Sequence, residues 1–314
     1  MNRKLTLPVL ALALAILACD IQTSPIASPT PVITPTDTAV PSVTTTSTPG
    51  QTATATAPVG LTLDMLQNGT YFAPAYGKTV TLVNGTYSDS SSGGYNVQML
   101  DTSAFGDLNG DGIADAAILL VENDGGSGQF VSLIVVYNSG GSPVQAGQST
   151  LGDRVQVNSM NISSGVIHLD MLVQAPNDPM CCPSLAEKRS YWMISGHLWQ
   201  MRVTTTSSGT ERTINVSSPA NWASVTSPFT VSGDVSISPF ENTLGYGVYL
   251  PDGTKVNFSS LLVSSAGMGT PGTFSQTIDL TSAGITGPVI IQFEDVSAAD
   301  GSVLALGSVL VIVH

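Results

Sequence analysis

The chain has 314 residues, 22 of them acidic and nine basic, for a net charge of −13. That excess of negative charge repels nucleic acid and anionic lipid surfaces, which excludes nucleic acid as a partner. Only 10% of the residues are charged while 31 are glycine, and with abundant Thr, Ser and Val this composition points to extracytoplasmic β-structure rather than a helical cytosolic enzyme.

Residues 1–18, "MNRKLTLPVLALALAILA", set Arg3 and Lys4 before an apolar run of export-signal length, too short for a permanent membrane span. The run ends in "ILAC", which resembles the bacterial lipobox and implies acylation of Cys19. Two or more acyl tails are what stable anchoring requires. The expected location is therefore extracytoplasmic, with the protein lipid-anchored to a bacterial membrane or cell surface and the membrane itself as its first partner. Loss of the signal leaves seven basic residues against 22 acidic ones, a charge of −15. Residues 19–59, Cys-anchored and rich in Thr, Pro and Ser, hold too few large apolar side chains to offset the entropy of ordering. They are expected to form a disordered stalk, reaching ~120 Å if fully polyproline-like.

Residues 60–203 read as a β-rich, antiparallel-sheet domain, or α+β should "LTLDMLQNG" at Leu61 form a helical turn. The runs "DAAILLVEN" and "FVSLIVVYN" flank "DGGSG", the pattern of a hairpin. A second hairpin joins "RVQVNSM" to "VIHLDMLVQ", where Ile167, Leu169, Met171 and Val173 share one face. A third is expected in "RSYWMISGHLWQM", with its two Trp residues packing across the sheet. In this domain "DLNGDGIAD", residues 107–115, places oxygen-bearing groups at alternating positions. Position 12 from Asp107 is Ile118 rather than the Glu an EF-hand needs. The stretch is similar to the acidic loop of FG-GAP repeats, and it occurs once, which argues against a closed propeller. A structural calcium held by Asp107, Asn109, Asp111, the carbonyl of Ile113 and Asp115 is expected, with Gly110 and Gly112 supplying left-handed backbone; the bland alternative is a polar turn.

Cys181 and Cys182 are adjacent and are the only cysteines besides Cys19, so no disulfide framework staples distant segments. They are read as a local vicinal disulfide or as neighbouring thiols.

Residues 204–212, "TTTSSGTER", break the apolar pattern and read as a short linker. Beyond them the alternation is clean. In "FTVSGDVSI", Phe229, Val231, Val235 and Ile237 face one way and Thr230, Ser232, Asp234 and Ser236 the other. About seven short strands in roughly 100 residues argue for an immunoglobulin-like β-sandwich. The segments "INVSSP", "VTSPFTVSG", "FEN" (240–242) and "PDG" (251–253) resemble the Gmad family, the immunoglobulin-like domain of bacterial spore germination, over residues 213–314. That resemblance implies an extracytoplasmic, non-catalytic module appended to another domain.

No G-x-S-x-G elbow or H-E-x-x-H motif accompanies the three histidines. His168 and Asp170 share a polar strand face, an arrangement more often of the surface than of a catalytic set. Trp192, Trp199 and Trp222 are either core or the lining of a sugar site. The expected function is that of a non-catalytic binding, adhesion or cell-envelope interaction module. Its partner would be an envelope or extracellular protein or a glycan. The alternatives are a calcium-stabilised hydrolase or carbohydrate-active protein using the upstream domain, and a thiol-redox role for Cys181 and Cys182.

Overall fold

The computed structural model describes residues 59–314; the export signal, Cys19 and all of the stalk but Val59 lie outside them. The described chain opens with α1 (Leu63–Gln67), a single turn capped by the Thr62 hydroxyl, which accepts from Met65 N. It continues into the hairpin β1 (Thr70–Ala73) and β2 (Lys78–Thr81). A five-stranded antiparallel sheet follows in sequential order: β3 (Thr86–Asp89), β4 (Tyr95–Gly106), β5 (Asp115–Asp124), β6 (Phe130–Ser139) and β7 (Ser142–Asp153). Next come β8 (Gln156–Ser163), β9 (Val166–Val173), β10 (Leu185–Ile194), β11 (His197–Thr205) and β12 (Glu211–Arg212). The C-terminal region contributes β13 (Ile214–Ser218), β14 (Ala223–Val225), β15 (Phe229–Val235), β16 (Thr243–Tyr249) and β17 (Lys255–Leu262). It closes with β18 (Ser264–Ser265), β19 (Gly272–Ile278), β20 (Gly287–Val296) and β21 (Val303–Val313).

The fold is mainly β, as the patterns predict. β5 and β6 form the first expected hairpin, β8 and β9 the second, and β10 and β11 the third, with Trp192 directly opposite Trp199. Ala116 to Leu120 of β5 are all fully buried. The reason is that the five-stranded sheet is a middle layer. Its one face packs with α1, β1 and β2 around Leu66, Tyr71 and Val80. Its other face meets Ile167, Leu169, Met171 and Tyr191 of the next sheet.

The C-terminal region is a β-sandwich. The sheet β13-β15-β19-β18 faces β17-β16-β20-β21 across an apolar core that includes Val231, Leu244, Phe274 and Phe293. Phe229, Val231, Val235 and Ile237 are buried and Thr230 and Asp234 exposed, so the predicted period-2 alternation is the one that builds the core.

One sheet runs through both regions in the order β17-β16-β20-β21-β11-β10-β9-β8. It is joined where Arg202 and Val203 of β11 pair with Leu306 and Ala305 of β21. Residues 204–212 accordingly form a hairpin turn rather than a free linker: Thr204 and Thr205 pair with Arg212 and Glu211. Side chains reinforce the joint. Arg202 donates to the Val303 carbonyl (2.8 Å), Thr204 Oγ1 to the Leu304 carbonyl (2.8 Å), and Trp199 Nε1 to the Pro251 carbonyl (3.0 Å).

Candidate functional site

The acidic loop 107–115 joins β4 to β5. Gly110 and Gly112 take left-handed backbone (φ 82° and 79°), as a tight wrap demands. The Asp107 carboxylate accepts from the amides of Gly112 (2.8 Å), Gly110 (2.7 Å) and Asn109 (3.2 Å). These bonds, Gly112 first, hold its carboxyl below the usual carboxylate range. Asp111 accepts from Ile113 N (2.7 Å) and Asn109 Nδ2 (3.0 Å), while Asn109 Oδ1 accepts from Asp111 N (2.9 Å). Asp115 is fully buried, and its two oxygens accept from Leu108 N (2.9 Å) and Asn138 N (2.8 Å). It ties the loop to β6. Among the described residues no three His, Cys, Asp or Glu side chains come together as a metal-holding group. In this arrangement the loop's own N–H donors engage the side-chain oxygens of Asp107, Asn109, Asp111 and Asp115, four of the five positions expected to hold calcium with the Ile113 carbonyl.

Cys181 and Cys182 form a vicinal disulfide in the β9–β10 loop, and both are exposed, as is Met180. Asp178 holds that loop by accepting from Ala175 N (2.8 Å), Ser184 N (2.7 Å) and Ser184 Oγ (2.7 Å). On β9 and β10, His168 Nδ1 lies 3.0 Å from Ser190 Oγ. Asp170 bonds Asn158 Nδ2 instead (2.8 Å), and among the described residues no carboxylate hydrogen-bonds His168. An Asp-His-Ser relay is therefore not assembled here.

An apolar concavity lies where β11 and β21 part. After the two-residue pairing at 305–306, the edge of β21 is taken over by β14, in parallel, at Val311 to Val313. The gap between the two pairings opens a groove of about 490 Å³, within the range of ligand sites. Its apolar lining includes Trp192, Ile194, Met201, Ile290 and Leu310. Trp192, Ile194, Ile290 and Leu310 pack on Trp199, which is only 3% exposed and thus core. The Asn221–Trp222 corner adds a wall, and Ser190, His168 and Ser308 add polar groups. Among the described residues no Asp, Glu, Lys or Arg lines the groove.

Trp222 is 59% exposed and has φ 65°, a left-handed conformation that a bulky residue rarely takes. Two bonds to one residue hold it: Trp222 N donates to the Leu310 carbonyl (2.7 Å), and Asn221 Oδ1 accepts from Leu310 N (3.0 Å). Of the three Trp residues expected to be either core or the lining of a sugar site, Trp192 and Trp222 line this groove and Trp199 is core. "ANWA" carries no periodicity, and the groove depends on strands about a hundred residues apart.

These features define an immunoglobulin-like β-sandwich fused through a shared sheet to a second β-rich region. Residues 213–302 match the family model of the immunoglobulin-like domain of bacterial spore germination, a generally non-catalytic module. The match stops just before β21, the strand that completes the sandwich and carries the joint. No curated protein and no solved structure matches the chain.

Proposed function

We propose that this is an extracytoplasmic bacterial surface protein, lipid-anchored through Cys19, and that its folded part is a non-catalytic binding module for a component of the envelope or the extracellular surroundings. The observation that supports the reading is the uncharged, aromatic-lined groove at the joint, set against a His168–Ser190 pair with no acid partner. The test has two arms. Cys19→Ala should release the full chain from membranes, and the wild-type chain should retain a component of native envelope in a pull-down. A Cys19→Ala chain that stays membrane-bound overturns the anchor; failure to retain any envelope component overturns the binding role.

A further inference from the structure

Resting on the binding reading, we infer that the Trp192–Trp222 groove takes an uncharged pyranose oligosaccharide, with a sugar ring laid on the exposed face of Trp222. Three observations converge on that class. First, the lining carries no Asp, Glu, Lys or Arg. Among the described residues the groove offers no Lys or Arg to neutralise an anionic polymer, which the chain's net charge of −13 also opposes.

Second, apolar and polar groups are interleaved as a pyranose needs. A sugar ring has a C–H face, electropositive at its hydrogens and complementary to the negative face of an indole, and a rim of hydroxyls that both donate and accept. Asn221 spends its Oδ1 on Leu310 N (3.0 Å), and its amide NH₂ has no partner among the described residues. Ser308 Oγ and Ser164 Oγ, also at the groove, likewise have no hydrogen-bond partner among the described residues. Unspent donors and acceptors beside an apolar floor suit hydroxyls better than they suit an apolar peptide side chain, which would leave them unsatisfied.

Third, the backbone is held in a costly conformation to display the ring. A non-glycine residue at positive φ costs on the order of 1–3 kcal/mol and persists where the surroundings over-determine it. Here Leu310 grips the corner from both of its backbone groups. The strained residue is the one whose large apolar side chain faces water, contrary to the ordinary gain from burying it. Asn at this position would satisfy the backbone at lower cost; what Trp adds is the indole face.

The test uses the full-length chain in zwitterionic detergent, titrated with cellotetraose and with tetra-N-acetylchitotetraose. Binding is read by calorimetry and by the change in Trp emission; a sulfated tetrasaccharide serves as the charged control. At least one neutral tetrasaccharide should bind and the sulfated one should not. Trp222→Asn should weaken binding about tenfold or more, the loss of one stacking ring, with Tm unchanged or raised. Ser308→Arg, which inserts bulk and charge into the groove, should abolish binding without touching the corner. Absence of binding by both neutral tetrasaccharides overturns the inference. So does equal affinity in Trp222→Asn, or an envelope pull-down that survives periodate oxidation of glycans and is lost on protease treatment. The last outcome leaves the binding reading standing with a protein partner, whereas a pull-down that recovers nothing from native envelope sinks the reading itself.

Discussion

The two regions that the shared sheet joins solve the same packing problem differently. In the C-terminal half Val231, Leu244, Phe274, Phe293 and their neighbours meet in an apolar core, and one buried carboxylate among the described residues, Asp295, pairs with Arg212 (2.7 Å). In the upstream half three carboxylates, Asp115, Glu122 and Glu187, are taken inside. Glu187 is 3% exposed and pairs with Arg189 and, at 3.1 Å, with Arg202 Nε. Arg189 also donates to the Leu151 carbonyl (3.2 Å) and the Tyr191 hydroxyl (3.4 Å). Glu122, fully buried, accepts from Ala75 N (2.9 Å), Tyr76 N (3.1 Å) and Tyr95 Oη (3.0 Å), so it pins the β1–β2 turn to the middle sheet. A sandwich whose strands alternate cleanly is registered by its side-chain pattern alone. A layer buried on both faces has no such pattern, and buried charges at its ends set the register of the loops instead.

This contrast can be broken most sharply at Glu187. Glu187→Ala leaves two buried guanidinium groups facing each other and should cost ~3–5 kcal/mol in urea unfolding. Replacing Glu187, Arg189 and Arg202 together by Met, Leu and Met should cost far less, or even stabilise the fold. Should the triple variant be as damaged as the single one, the cluster is not a charge-balanced unit. In the apolar half, Phe293→Ala should also cost ~3–5 kcal/mol by opening a cavity, and a larger apolar substitute should recover part of it, which no apolar residue can do at position 187 alone.

A smaller effect is expected at Glu122. Glu122→Gln keeps the shape and removes the charge from bonds to two amides and a phenol. The loss should be ~1.5–3 kcal/mol, accompanied by faster amide exchange at Ala75 and Tyr76.

Smaller again is a pH effect at the joint. His197 packs tilted against Trp199 (ring centroids 4.7 Å apart, planes at 59°), and burial holds its imidazole below the ordinary 6.5 despite the nearby Asp252. The neutral ring is therefore the one the fold favours. Its contribution is present above pH 6.5 and is lost as pH falls through the folded-state value. Asp107, Asp178, Asp252, Asp279 and Asp300 are all held below the ordinary 3.8 by hydrogen bonds, so their losses come at still lower pH. Melting should weaken slightly as pH falls below about 6.5, and His197→Gln should flatten that part of the curve. The last test is at the acidic loop. Calcium against chelator tests the ion expected at Asp107, Asn109, Asp111, the Ile113 carbonyl and Asp115: a bound structural ion should raise Tm by a few degrees, and the absence of a shift counts against it.

The sandwich was legible because every second residue of "FTVSGDVSI" is apolar and that face is the core. The three upstream hairpins were legible from their apolar runs and glycine turns. The layer order was not, since "AAILLV" reads the same whether one face or both are covered. Asp115, expected as a calcium ligand, and Glu122, for which the sequence offers no role, stand at the two ends of that run, and nothing local announces that an amide from another segment will meet them. The segment "TTTSSGTER" read as a linker because its turn residues hide two pairs of strand partners. The groove was illegible for a stronger reason: it is bounded by β11, β21 and the Asn221–Trp222 corner, and their meeting depends on a two-residue pairing that no sequence period encodes.

That pairing also bears on time. The Thr204–Leu304 bond closes a span of 100 residues, and bringing such distant ends together costs about 4 kcal/mol of chain entropy before any contact rewards it. The hairpins on either side close over a few residues each. In refolding from denaturant, strand signals should therefore appear early, and the joint should zip last. For an interval the molecule would have nearly all of its sheets and no groove, so competence to bind should lag behind the recovery of structure by the lifetime of that one missing seam.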